Sequence, residues 1–323
     1  MKKNHKKDLI WLRQVSSFAP SRIILTANNF RIFDHLDGKG KTADAISKTI
    51  SADSRATELL LNSLVAIGLL EKSKNLFRNS AVASRYLVRA KPGYQGNILS
   101  HYNTLWDNWS GLDNVLKTGR PNKKSHNHES FILGMHDLAS LKVKKIINNI
   151  NLTGVKRLLD LGGGPGTYSM AFARKKMDVT LFDFPDTLKI SKRLIEEAGL
   201  GDKIRLLPGD FTKDNIGNSY DMVFISQIFH AYTADECLSI LGKSYASLNN
   251  GGHVVAQEFY LDEKRTLPMQ GAVFSINMLV NTPGGRTYTP GEMSAWMKKT
   301  GFSDIGCKII DDTVLITGTK KKS

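Results

Sequence analysis

The sequence predicts an α/β protein: an open, parallel sheet preceded by a mainly helical N-terminal domain. Three observations carry this reading. From about residue 152, short apolar runs alternate with helix-compatible segments, as an open parallel sheet requires. One of these runs, Arg157-Leu-Leu-Asp-Leu161, breaks into glycines at 162, 163, 164 and 166 before a helical segment, which is how a buried strand turns into a helix N-terminus. Residues 8–150, by contrast, carry mostly helical periodicity.

The N-terminal elements follow in order. Ile23–Leu36 has apolar residues at helical intervals and stops before Asp37-Gly38-Lys39-Gly40. Thr42 caps a short helix to Ile50, and Asp53 or Ser54 caps another through Leu59, Leu60, Leu64, Val65 and Ile67 to Gly68. Leu69–Arg78 has hairpin character with a polar turn at Ser73–Asn75. Three helices and a two-stranded wing make a winged helix. In a nucleic-acid reader the third helix needs a polar, basic face for the major groove. Here it is apolar nearly all round, with Arg55 its one basic residue, so it reads as buried and suited to protein–protein packing. Aromatic-rich helices follow, around Tyr102, Trp106 and Trp109, then Phe131, Met135 and Leu138. The predicted strands beyond are 157–161, 179–182, 204–208, 222–226, 253–257 and 314–318.

Length and composition exclude several classes. A chain of 323 residues suits two domains. The division predicted is 1–100 for the winged helix, 101–150 for linking helices, and 151–323 for the sheet domain. No apolar run approaches the roughly 20 residues of a membrane span, and no signal-peptide core follows the basic N-terminus. Two cysteines, Cys237 and Cys307, make neither a disulfide framework nor a metal cluster, so a cytoplasmic protein without a metal is expected. The net charge of +15 is spread, with local concentrations at Lys2–Lys7, Lys142–Lys145 and Lys320–Lys322, and terminal lysine runs are more often solvated tails than phosphate-binding sites.

The chemistry gathers at predicted strand ends. The dinucleotide fingerprint would need glycine where Thr167 stands, so the spacing Asp160-x-Gly162-x-Gly164-x-Gly166 indicates another ligand. At the end of the second strand, Asp183 in Phe182-Asp183-Phe184-Pro185 can accept ribose hydroxyls or cap a helix. After the third strand, Asp210 could take an adenine amino group while Phe211 packs on the ring, or the pair could form a plain turn. The fourth strand places Ser226 and Gln227 at its ligand-facing end. Ligands bind beyond the carboxyl ends of such strands, so these loops converge on one crevice.

The glycine spacing resembles the first motif of class I S-adenosylmethionine-dependent methyltransferases. The chain as a whole resembles their O-methyltransferase family, of the plant caffeate and bacterial small-molecule type. Leu159–Thr167, Asp183-Phe-Pro185, Gly209-Asp-Phe211, Phe229–Cys237, Leu248–Gly252 and Asn281–Thr289 carry the resemblance. It implies a Rossmann-like methyltransferase sheet, a winged-helix dimerisation domain, a homodimer, and S-adenosylmethionine as cofactor, leaving S-adenosylhomocysteine as product. It also implies methyl transfer to a hydroxyl of a small aromatic or polyketide-like acceptor. His230 stands where the family places its catalytic histidine, and an imidazole that titrates near neutrality suits proton removal from an alcohol or phenol. Glu258 matches the first glutamate that flanks that histidine and orients it. Two departures surround the base: Ala231 replaces an aspartate, and Thr287 replaces the second flanking glutamate. Trp106, Phe131, Met135, Met278 and Asn281 are acceptor-pocket candidates. Methylation at carbon or nitrogen, or another use of the sulfonium on the same fold, is the alternative. A winged-helix nucleic-acid-binding regulator is the reading from a different class.

Overall fold

The computed structural model describes residues 14–322. The chain divides into two compact units, one ending at Asn103 and the other beginning at Thr104.

The first unit holds α1 (Phe18–Asn29), α2 (Ile32–His35), α3 (Ala43–Thr49), α4 (Ser54–Ala66), the hairpin β1 (Leu70–Ser73) and β2 (Leu76–Asn79), and α5 (Ala81–Tyr86). Helix α6 (Gly96–Trp109) carries the chain across the division. The side chains of Thr42 and Asp53 cap α3 and α4 by accepting from Ala45 N and Ala56 N. The single helix expected over 23–36 is two helices, because Arg31 takes a left-handed conformation at φ 54° that interrupts the ladder. The third helix is not buried all round either. Leu61 and Leu64 face the core, while Leu59 is 53% exposed. Leu60 and Val65 are half-buried against the same core, so α4 has an inner apolar face, flanks that are half covered, and Leu59 on the outside.

The second unit contains α7 (Leu112–Thr118), α8 (His128–Ile147), β3 (Arg157–Leu161), α9 (Thr167–Ala173), β4 (Asp178–Asp183), α10 (Pro185–Glu197), β5 (Ile204–Pro208) and β6 (Tyr220–Ser226). It continues through α11 (Ala234–Ser247), β7 (Leu248–Phe259), α12 (Met269–Asn281), α13 (Pro290–Lys299), β8 (Ser303–Ile310) and β9 (Thr313–Thr319). The seven strands run in the order β5-β4-β3-β6-β7-β9-β8. The first five are parallel; β9 pairs antiparallel with β7, and β8 pairs antiparallel with β9 at the edge. β8 is an addition to the predicted strands. It lies at the sheet edge with Lys308 and Ile309 exposed, so it lacks the continuous apolar run that marks its inner neighbours.

Apolar layers cover both sheet faces. One gathers Leu159, Phe182, Val223, Phe229 and Trp296. The other gathers Leu158, Phe172, Leu181, Phe224 and Leu315. The strand order reverses between β3 and β6, and ligand crevices form at such a switch point. Among the described residues, no helix is long and apolar enough to cross a membrane.

Candidate active site at the strand ends

Four parallel strand ends build the site. The register pairs Leu161 with Phe182 and with Ile225, and Ser226 with Gln257, so Asp160, Asp183, Ser226 and Glu258 end near one level. Gly162, Gly164 and Gly166 all have positive φ, which is why the turn is written in glycine. A Cβ on Gly162 would stand 2.5 Å from Ile228 Cδ1 and 3.3 Å from Phe211, so the loop is closed against the segments after β5 and β6. A Cβ on Gly164 would meet nothing within 4 Å, leaving that part of the loop open to a ligand. Gly163 lets the loop settle on Asp160, whose Oδ2 would be 2.8 Å from a Cβ there.

Two buried carboxylates line this loop. Asp183 Oδ2 accepts from Gly164 N at 2.8 Å and Oδ1 accepts from Phe184 N at 2.7 Å. It therefore holds the glycine loop in place. It does not cap α10, whose N-cap residue is Phe184. Burial pushes the Asp183 carboxyl up, and those two N–H donors pull it back. Asp160 is 1% exposed. Its Oδ2 accepts from Ser169 Oγ at 2.6 Å, while its Oδ1 has no hydrogen-bond partner among the described residues. Burial raises its carboxyl to about 7, with Ser169 opposing and Asp183 adding to the rise. An orphaned carboxylate oxygen beside an open glycine loop suits a cationic, hydrogen-bonding ligand.

Aromatic rings form the next side. Phe211 is buried, 6.5 Å from Phe184 and 5.6 Å edge-on from Tyr232. Phe184 is 44% exposed. Asp210 turns its carboxylate to Thr212 and Lys213, with the Thr212 hydrogen bond first among the causes that hold it below the usual range. Tyr232 was not among the sequence candidates. Burial, and then the negative charges of Asp210 and Asp183, push its hydroxyl up to about 12. His128 acts electrostatically on Asp183, and its Nε2 lies 3.2 Å from Thr187 Oγ1. Gln227 adopts φ 55° and donates its N–H to Gln257 O, while Ser226 Oγ donates to Gln257 Oε1 at 3.1 Å.

His230 sits in a short 3₁₀ turn, Phe229–Ala231, directly after this crevice. Its Nδ1 lies 2.7 Å from Glu258 Oε2, and Glu258 Oε1 accepts from Phe229 N at 2.7 Å. The carboxylate thereby grips both the ring and the backbone that carries it. Nε2 has no protein partner among the described residues, and the side chain keeps 13% exposure. Phe274 packs edge-on against the ring at 5.0 Å, and Phe259 lies 4.1 Å from Phe274. Both phenylalanines escaped the sequence reading because each looked like ordinary core.

The remaining candidates divide. Met278 is buried one helical turn beyond Phe274 on α12. Phe131 and Met135 are half-buried and share a face of α8 with His128. Trp106 is half-buried on α6. Asn281 is committed to structure: its Oδ1 accepts from Asn108 Nδ2 at 2.9 Å and its Nδ2 donates to Asn277 O. Thr287 is buried and donates its hydroxyl to Gly271 O at 2.9 Å, so the position of the family's second acid holds a packing residue.

Comparison with known proteins places this geometry. The pattern described as the O-methyltransferase domain matches residues 104–303. The chain belongs to the O-methyltransferase family. It is an S-adenosylmethionine-dependent O-methyltransferase, and residues 12–89 match the O-methyltransferase dimerisation domain. Among its relatives, 3-hydroxy-5-methyl-1-naphthoate 3-O-methyltransferase of Streptomyces sahachiroi is 28% identical over 290 residues, 85% of this chain and 83% of that protein. Acetylserotonin O-methyltransferase of Bos taurus is 27% identical over 319 residues, 91% of this chain and 92% of that protein. Human N-acetylserotonin methyltransferase in complex with S-adenosylmethionine has the same fold, with a TM-score of 0.89, 23% identity and 99% of each chain covered. The predicted fold class and cofactor stand on these findings.

Proposed function

We propose that this O-methyltransferase methylates a hydroxyl of a small aromatic or polyketide-like acceptor, with His230 taking the hydroxyl proton. The observation that carries the reading is the His230 ring. Its Nδ1 is fixed to Glu258 at 2.7 Å, its Nε2 has no protein partner among the described residues, and its ring packs edge-on against Phe274.

Asp160, the glycine loop at 162 and 164, Asp183, Phe184, Phe211, Ser226 and Gln227 hold the donor in this account. Asp210 contributes by fixing the turn that carries Phe211. Bound S-adenosylmethionine supplies a methyl group that is already strongly electrophilic. The chain's own task is to align an acceptor oxygen with it and to remove one proton. With Nδ1–H donated to Glu258, Nε2 is the basic nitrogen of the neutral ring and can accept the acceptor's proton. Glu258 then stabilises the imidazolium through the Nδ1 contact. It must do so alone, since Thr287 brings no second charge. Relatives that act on a naphthoate and on acetylserotonin support a flat aromatic acceptor, as do Phe259, Phe274 and Met278 near the base.

The test uses methyl-labelled donor with a panel of hydroxynaphthoates, simple phenols and polyketide-like alcohols, followed by mass spectrometry of the product. Label on a hydroxyl oxygen supports the reading. Label on carbon or nitrogen would assign the chain a different acceptor chemistry.

We also infer a homodimer formed through the N-terminal unit. The dimerisation-domain match and the exposed Phe18, Leu59 and Val82 support it. Light scattering at the mass of one chain, 35.9 kDa, would count against it.

A further inference from the structure

We propose that Asp160 is the residue by which this enzyme distinguishes its cationic donor from its product: donor binding expels a proton from the Asp160 carboxyl group, and product binding expels much less. The inference rests on the placement of the donor at the glycine loop.

The geometry comes first. Asp160 closes β3 directly beneath the loop and is 1% exposed, with Oδ2 held by Ser169 and Oδ1 left without a partner. Among the described residues only two other buried side-chain atoms are so orphaned, Asn79 Oδ1 and His253 Nε2, and neither belongs to this loop. Asp183, also buried, brings a second carboxylate from β4. Among the described residues neither acid is ion-paired with a lysine or arginine. Two acids in this environment cannot both stay charged cheaply unless a cation arrives.

The chemistry of the ligands supplies the difference. The donor carries a sulfonium charge that the product, a thioether, has lost. Near neutral pH the free enzyme holds Asp160 partly protonated, since burial raises its carboxyl to about 7. The groups facing it are Asp183 from β4 and Tyr168 and Ser169 from α9; His128, from α8, acts on Asp183. A cation favours the carboxylate, so the proton passes from Asp160 to the solvent as the donor binds. Once the methyl group has left, the local positive charge falls. Asp160 then regains a proton from solvent, and its charged hold on the ligand is relaxed.

Calorimetry tests this on the wild-type enzyme, with S-adenosylmethionine and S-adenosylhomocysteine each titrated at pH 6.5 in two buffers of different ionisation enthalpy. More protons should be released with the donor than with the product. If binding lowers the carboxyl by one pH unit, donor affinity should be about fourfold weaker at pH 5.5 than at pH 7.0, with a smaller change for the product. Asp160→Asn should lose the donor's pH dependence. His128→Ala separates any slope that belongs to that histidine. Equal proton release for both ligands overturns the inference, and so does an unchanged donor slope in Asp160→Asn. Should that variant fail to fold, the wild-type proton counts decide alone. Failure of either ligand to bind would instead overturn the donor placement itself, and this inference with it.

Discussion

Asp160→Asn should change the stability of the ligand-free enzyme in a way that reverses sign with pH. The native carboxyl sits at about 7 against an ordinary value of 3.8. The folded state therefore binds a proton that the unfolded chain has released between those values. For a group raised in this way, stability is fully present below the unfolded value and lost as pH rises through the folded one. A gap of about three pH units corresponds to up to about 4 kcal/mol lost by pH 8. Asparagine removes that loss at every pH. It keeps an acceptor for Ser169 but puts an amide group where Oδ1 has no partner, at a cost of about 1–3 kcal/mol. The variant should thus be more stable than wild type at pH 8 and less stable at pH 4.5. The swing in relative Tm between the two pH values is roughly 6–12 °C, at about 2–4 °C per kcal/mol. Tryptophan fluorescence reports mainly on the relevant unit, since three of the four tryptophans, Trp106, Trp109 and Trp296, lie beyond residue 103. A Tm difference that stays the same at both pH values would refute the reasoning.

Other outcomes follow from the same geometry. Glu258→Gln removes the charge that holds His230 Nδ1 at 2.7 Å and sets an amide group against Phe229 N; turnover should fall by about 10²–10⁴ while donor affinity, read by calorimetry, changes little. Gly162→Ala puts a Cβ 2.5 Å from Ile228 Cδ1 at φ +68°; it should lower stability by about 1–2 kcal/mol and weaken donor binding, and an unchanged melt and affinity would contradict the tight loop. Phe184→Ala removes a ring that is 44% exposed and faces Phe211; donor affinity should weaken up to about tenfold with Tm nearly unchanged, and a large Tm loss with intact affinity would assign that ring to the core.

The sheet domain was legible in the sequence because buried parallel strands are written as apolar runs. Arg157–Leu161 and Tyr220–Ser226 are such runs, and acids or polar residues mark their ends. β8 was not legible, since an exposed edge strand alternates with charge and loses the run. The break at Arg31 was hidden because a single left-handed residue leaves the periodicity on both sides intact. Within the site, Asp160 and Asp183 could be named as candidates from their places at predicted strand ends, and His230 and Glu258 from the family resemblance. Their division of labour could not. That Asp183 holds Gly164 N, that Asn281 is taken by Asn108, and that Phe274 covers the His230 ring are contacts between residues far apart in the chain. Asn108 and Asn281 are separated by 173 positions, and no local pattern encodes such a pairing.

The central claim is that His230 removes the acceptor's proton at a donor site it does not itself build. The direct measurement is single-turnover methyl transfer from labelled S-adenosylmethionine to a hydroxynaphthoate or phenol that the wild-type enzyme accepts, compared between wild type and His230→Ala, with donor Kd measured on both. The account predicts that transfer falls by about 10²–10⁴ while the donor Kd moves by less than about threefold. Transfer at the wild-type rate in the variant would contradict it.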